Sequence, residues 1–348
     1  MKIVYGYSYF ASEYYDDAKK MNDDYLDRLR QDGFDVEGYC LTIDPPGPPV
    51  AFSELDKMWK AKDPKLMKFY DDLREALIGK DVLMNASGIN LHPEFVESLK
   101  DIFTVFQCFD DPESSEFLSK PVANSYDLCL VGNIAEVGTY KTWGVKNAEW
   151  VPMGVLPEIY DPSLTYEQII EGERDIDLFM MINYTHFRKE RLDKILKAFP
   201  NADFYGVGFP KGPLTKDRVD YLKRSKIGPN MHNSTGPINY RTFYLPANGV
   251  MQICDNKKHL GDIYELNKEV VGFDTMEECI DLCRYYLAHD DERRKIAAEG
   301  WKRCLKDYTE VAIFRRNVSL FEKYMKIKEE SSRSIPYKLK VKLKRIFS

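Results

Sequence analysis

The chain has 348 residues, more than one core usually serves, so two domains of about 150 residues each are expected. Apolar residues at 44%, aromatics at 13% and charges at 30% exclude wholesale disorder. A net charge of −6 argues against nucleic acid as a partner.

No apolar run approaches the ~20 residues of a membrane span and no signal-peptide pattern stands at the start, so a cytoplasmic protein is expected. Seven scattered cysteines, mostly in apolar settings such as Leu128-Cys129-Leu130, read as buried thiols of a reducing compartment. Cys279 and Cys283 lack a second ligand pair at zinc spacing and read as core thiols.

In chain order, residues 2–7 form a β-rich run, 12–31 show helical spacing closed by Gly33, and 34–40 are a second strand. Such a β-turn-α-β opening starts a doubly wound parallel sheet, whose ligands sit beyond the carboxyl ends of the strands. That places the loop 6–10, with Gly6 and Tyr7, at a cleft. A stiff proline loop follows Asp44. The pattern then predicts a helix over 52–78, a strand over 81–86 ending in Ser87-Gly88-Ile89-Asn90, and a helix over 92–99. Residues 102–109 are a near-continuous apolar run, hence a buried strand, and it delivers Asp110-Asp111-Pro112 to the same rim. Segments 126–131 and 150–152 read as further strands.

Pro152-Met-Gly-Val-Leu-Pro and Asp161-Pro162 mark a linker, which divides the chain into a first domain over 1–155 and a second over 156–308. The second series predicts a strand over 178–182, a helix over 188–199, a strand over 203–207 and a helix over 217–225. A polar loop from Gly228 follows, then a short helix over 238–247, an Asn248-Gly249 turn, and strands over 250–254 and 269–273. Helices are expected over 276–288, 292–308 and 309–326. The start of the short helix stands beside Asn230, His232, Asn233, Ser234, Thr235 and Arg241, so that free backbone N–H groups and donors converge as a diphosphate requires.

The segment RTFYLPANG, a strand, ELNKEVVGFD and DDERRKIAAEGWKRCLKDYT together resemble the C-terminal half of the CgeB-like glycosyltransferases. The match includes Arg241, Thr242, Phe243, Ala247, Gly249, Lys268, Glu269, Gly300, Arg303 and Leu305. The first half is similar to the same family through Asp110-Asp111-Pro112, Tyr126-Asp127-Leu128, Tyr140 to Gly144, and the proline-rich run from Pro152 to Pro162. Together these motifs span most of residues 1–320. The resemblance implies a GT-B fold, two Rossmann-like domains facing a cleft, with the last helix crossing back to the first domain. It also implies a nucleotide-sugar donor and a glycan, lipid-linked or protein acceptor. Tyr244 stands where the family usually has the Glu that holds the donor ribose, which leaves that contact open.

Glycosyl transfer needs the leaving diphosphate neutralised and, for inversion, a base for the acceptor hydroxyl. Arg241 and Arg188 are the diphosphate candidates, since guanidinium offers the paired donors that phosphate oxygens accept. Tyr184, His232, Asn239, Tyr244 and Glu269 complete the candidate donor set, although Tyr184 also reads as packing and His232 and Asn239 as turn or cap residues. Asp110, Asp111 and His92 are the candidate bases, and a structural Asp capping the next turn is an equal reading. Asp111, preceding Pro112, reads more as the turn residue. No G-x-G-x-x-G follows the first strand, which disfavours a dinucleotide oxidoreductase. No D-x-D pair stands at a strand end, so no metal is implied and no cofactor beyond the donor co-substrate. The alternatives are a catalytically silent GT-B module that binds a carbohydrate or protein, and transfer to modified DNA bases.

The tail is different in kind. Lys338, Lys340, Lys342, Lys344 and Arg345 interleave with Leu339, Val341, Leu343, Ile346 and Phe347, a composition suited to an anionic membrane surface through residues 333–347. It would place the protein at the inner face of the membrane; the alternative is a solvated, frayed terminus.

Overall fold

The computed structural model describes residues 1–8, 15–43, 51–86 and 90–346, apart from the side chains of 15–18 and 332–346. Tyr9 and Phe10 of the first loop, the proline loop after Asp44, and Ser87-Gly88-Ile89 lie outside the described residues. The chain forms two compact units, one of Met1–Gly132, Val137–Val151 and Phe314–Ser348, the other of Asn133–Glu136 and Pro152–Ile313.

In the first unit six strands, β1 (Lys2–Tyr7), β2 (Asp35–Cys40), β3 (Val82–Asn85), β4 (Phe103–Cys108), β5 (Leu128–Val131) and β6 (Ala148–Trp150), form one sheet in the order β2-β1-β3-β4-β5-β6. Every pairing is parallel. All of β3, β4 and β5 is buried, as an apolar run covered on both faces must be. The helices are α1 (Tyr15–Gln31), α2 (Phe52–Ala61), α3 (Pro64–Ala76), α4 (Pro93–Ser98) and α5 (Val137–Thr142). The helix expected over 52–78 is therefore two. Lys62 takes the left-handed conformation at φ 53°, and Asp63 caps the next helix by accepting from the N–H groups of Lys65 and Leu66, with Pro64 at its first position. The Asp-Pro pair is a helix-start signal that the apolar periodicity overrode.

The second unit has β7 (Ile176–Met181), β8 (Asp203–Tyr205), β9 (Ser225–Asn230), β10 (Met251–Asp255) and β11 (Val271–Phe273), in the order β11-β10-β9-β7-β8 and again all parallel. Its helices are α6 (Tyr166–Glu171), α7 (Lys189–Ala198), α8 (Arg218–Arg224), α9 (Arg241–Ala247), α10 (Leu260–Ile263), α11 (Met276–Ala288) and α12 (Asp290–Asp307). Strand β9, read from sequence as a helix end and a polar loop, runs between β7 and β10.

The last helix, α13 (Glu310–Ile346), joins the first unit from Phe314 onwards. There Phe314 packs edge-on against Phe34 at 5.0 Å, Arg315 pairs with Asp32, and Lys328 with Asp127. In both sheets the strand order reverses beside the first strand, between β1 and β3 and between β7 and β9, and such switch points are where open α/β sheets take their ligands.

Candidate functional site

The carboxyl ends of β7 and β9 define the rim of the second unit. Arg241, at the start of α9, is buried there: its Nε donates to Asn230 Oδ1 at 3.0 Å, its Nη1 to the Met181 carbonyl at 3.2 Å, and its Nη2 to the Met231 carbonyl at 3.1 Å. One guanidinium thus ties the ends of both strands, and burial lowers its pKa. Arg188 stands immediately before α7. Its Nη1 lies 3.4 Å from the Asn183 carbonyl, and its buried Nε has no partner among the described residues. Burial lowers its pKa first, then the charges of Arg241 and Arg191.

Arg191, which the candidates drawn from the sequence did not include, is the third member. It donates from Nη1 to the His232 carbonyl at 3.2 Å and from Nη2 to Asn233 Oδ1 at 2.7 Å. The Arg188-x-x-Arg191 spacing, which sets two residues on one side of a helix start, was the available signal. Among the described residues none of the three guanidiniums forms an ion pair with a carboxylate. Clustered cations that repel one another and are partly desolvated need an anion close by.

His232 lies inside this rim. Its backbone N–H donates to Asp255 Oδ2 at 2.9 Å, its Nδ1 lies 2.7 Å from Asp255 Oδ1, and its Nε2 lies 2.9 Å from Thr242 Oγ1. Burial lowers its pKa against the opposing pull of Asp255, so the ring is neutral, Nδ1–H donates to the carboxylate and Nε2 accepts from Thr242. Asn239 donates to Asn230 Oδ1 at 2.8 Å and takes the Thr242 N–H on its own Oδ1 at 3.2 Å. These contacts match the turn and cap reading of both residues. His232 and Asn239 hold the rim together from behind, and the Thr242 N–H, the second of the short helix α9, is taken by Asn239.

His232, Cys254 and Asp255 bring ligand-type atoms within 4.8 Å of one another. They are already hydrogen-bonded to each other, burial holds the Cys254 thiol well above its usual range, and the charge of Arg241 acts on both His232 and Cys254. A protonated thiol beside a guanidinium is a poor seat for a cation.

The other donor candidates sit as follows. Tyr184 follows β7, packs edge-on against Phe209 at 5.4 Å, and donates its hydroxyl to Asp193. Tyr244 is buried with its hydroxyl 3.5 Å from the Met181 carbonyl beside Arg241, and its pKa is pushed up to about 12 by burial. It fills the rim's interior. Glu269 accepts the Glu265 N–H at 2.8 Å and closes a turn. Two backbone approaches fix the rim: Asn183 Oδ1 accepts the Val207 N–H at 3.1 Å, and a Cβ on Gly206, at φ +150°, would lie 2.0 Å from the Ile182 carbonyl oxygen.

In the first unit Asp110 and Asp111 follow β4 as expected, with opposite surroundings. Asp111 is 1% exposed; its Oδ1 accepts from Ser115 at 2.8 Å and Ser119 at 2.5 Å, and its Oδ2 from Tyr140 at 2.5 Å. Asp110 is exposed, yet desolvation at the strand end, then Asp111 and Glu113, push its carboxyl above the usual range. His92 is buried against Trp59, with ring centroids 4.8 Å apart, and its Nδ1 caps α4 by accepting the Glu94 N–H at 3.3 Å. Asp111 and His92, both expected as candidate bases, are buried and held by these contacts. Gly6 and Tyr7 are residues of β1, not of a loop; a Cβ on Gly6 would lie 2.5 Å from Leu41 Cδ1.

Two α/β units of parallel sheet with interleaved helices define the GT-B fold of glycosyltransferases. Residues 188–316 match a family model described as glycosyl transferase-like. Among solved structures the chain is similar to sucrose-phosphate synthase from Thermosynechococcus elongatus, at TM-score 0.61 and 11% identity, covering 94% of this chain and 100% of that one. It is similar to a glycosyltransferase from Rickettsia africae, at TM-score 0.60 and 14% identity, covering 93% and 98%. HepE from Anabaena, solved with UDP, gives TM-score 0.56 at 11% identity over 93% and 100%. At these identities the likeness is one of fold. No curated protein matches the sequence. Among the described residues no helix is long and apolar enough to cross a membrane.

Proposed function

We propose that the chain is a glycosyltransferase of the CgeB-like branch that moves a sugar from a nucleoside-diphosphate donor to a glycan, lipid-linked or protein acceptor without a metal. The observation that carries this reading is the trio Arg188, Arg191 and Arg241 at the carboxyl ends of β7 and β9, three guanidiniums that form no ion pair with a carboxylate among the described residues, at a sheet's switch point. A diphosphate supplies the missing charge. The glycosyl transferase-like match over 188–316 contains all three arginines, and a structure of similar fold, HepE, is solved with UDP and with UDP-glucose.

In the transfer, the acceptor oxygen forms a bond to the anomeric carbon as the bond from that carbon to the diphosphate oxygen breaks. The negative charge that develops on the leaving diphosphate is met by the arginines, which do the work a divalent cation does elsewhere. For an inverting reaction Asp110 takes the acceptor proton; its raised pKa and its exposure suit that role better than the enclosed Asp111.

Release of nucleoside diphosphate from a panel of UDP-, GDP- and dTDP-sugars, with and without EDTA, tests the proposal. Turnover of one donor that survives EDTA and falls at least 100-fold in Asp110→Asn supports it. Binding of a carbohydrate with no turnover of any donor would replace it with a silent binding module.

A further inference from the structure

We propose that the end of α13 is an interfacial helix that seats the first unit on an anionic lipid surface, an inference that goes beyond the donor reading and does not rest on it. The sequence shows a charge segregation. Residues 332–348 hold six basic residues and no acidic one in a chain of net charge −6, so the remainder carries −12. As an isolated string the tail reads as alternation, with Lys at 338, 340, 342 and 344 between Leu339, Val341 and Leu343. That is a strand's period and makes no continuous apolar face on a helix.

The backbone changes the reading. Helix α13 continues to Ile346, so these residues fall at about 100° per step. In that register Ile335, Leu339, Leu343 and Ile346 stand at i, i+4, i+8 and i+11 on one stripe. Lys338, Lys342 and Arg345 flank it on one side, and Arg333, Lys340 and Lys344 on the other. An apolar stripe bordered by cations on both sides is the pattern of a helix lying in a headgroup layer. Over residues 332–346 it measures about 22 Å. Pro336, which has no N–H to give to the Ser332 carbonyl, separates this part from the part packed on the first unit.

The packed part makes the attachment firm. Arg316 donates to the Trp150 carbonyl at 2.8 Å, Tyr324 and Lys323 hold Glu149 at 2.6 and 2.8 Å, and Lys328 holds Asp127 at 2.8 Å. The ties therefore run along the helix to Lys328, about a turn and a half before Arg333. The occupant is an anionic bilayer and not a nucleic acid, because an apolar stripe between the cations is buried by acyl chains and has no use on a duplex.

The test is flotation of the full chain with vesicles of phosphatidylcholine alone or mixed with phosphatidylglycerol, compared with retention of duplex DNA at the same salt. Binding to the mixed vesicles only is expected. It should fall roughly 25-fold in Lys340→Gln with Lys344→Gln, at about fivefold per charge. It should be lost in Leu339→Glu with Leu343→Glu, both pairs melting as the unaltered chain does. Equal binding to both vesicle types, full binding by the leucine pair, or retention of DNA without vesicle binding would each overturn the proposal.

Discussion

Asp255 Oδ1 lies 2.7 Å from His232 Nδ1 in the interior of the second unit, and the same carboxylate takes the His232 backbone N–H at 2.9 Å. Burial outweighs Asp255 and lowers the His232 pKa. A histidine depressed in the folded state is protonated first in the unfolded state. Its contribution is therefore complete above the unfolded value of about 6.5 and is lost as the pH falls from there through the folded pKa. Urea unfolding between pH 8 and pH 5 should show stability falling by up to about 1.4 kcal/mol per pH unit more in the unaltered chain than in His232→Gln. Parallel slopes would mean that the ring titrates alike in the folded and the unfolded chain.

Asp110 and Asp111 are neighbours with separable consequences. Asp111→Ala leaves three buried hydroxyls without their acceptor, and should cost about 3 kcal/mol or more in chemical denaturation. Asp110→Ala removes an exposed carboxylate and should change stability by about 0.5 kcal/mol or less while abolishing transfer by an inverting enzyme. The reverse ranking of stabilities would exchange their roles.

Gly206 is fixed by contact as well as by conformation. At φ +150°, with a Cβ position 2.0 Å from the Ile182 carbonyl oxygen, Gly206→Ala forces the end of β8 away from β7. A loss of about 2 kcal/mol or more and weaker donor binding are expected from thermal melting with and without nucleotide. Gly212→Ala, whose Cβ meets nothing within 4 Å, is the matched control for a positive φ, here +65°. Equal losses in the two would assign the effect to φ alone.

The doubly wound order was legible because the strands announce themselves: apolar runs such as Phe103–Cys108 and Leu128–Val131 can only be buried parallel strands. Strand β9 was not, and the reason is physical. Ser-Lys-Ile-Gly-Pro-Asn carries a proline at a central position, where a ladder hydrogen bond is normally needed, and a glycine that looks like a loop residue. Its glycine serves packing instead, since a Cβ at Gly228 would lie 2.4 Å from Leu245 of α9.

The candidate site shows the same division. Arg241 and Arg188 could be picked out by chemistry and by position after a strand. What decides between an outward and an inward side chain is tertiary. His232 and Asn239 look identical to ligand-binding loop residues until Asp255 and Asn230, each from a different strand end, take up their donors. Arg191 was hidden in a charged helix, and its contacts with the His232 carbonyl and Asn233 distinguish it from the nearby Lys189.

The central claim is that the arginine trio holds a donor diphosphate, and titration of UDP, GDP and dTDP by calorimetry tests it most directly. One of them should bind the unaltered chain, with affinity reduced about 10- to 100-fold in Arg188→Ala and in Arg191→Ala, each charge-assisted contact contributing about 1.5–3 kcal/mol, and partly kept in Arg188→Lys. Both variants should melt close to the unaltered chain, because Arg188 makes one long contact and Arg191 lies at the edge of the rim. Undiminished binding in both variants, or no binding of any of the three nucleotides to a cooperatively folded chain, would contradict the account.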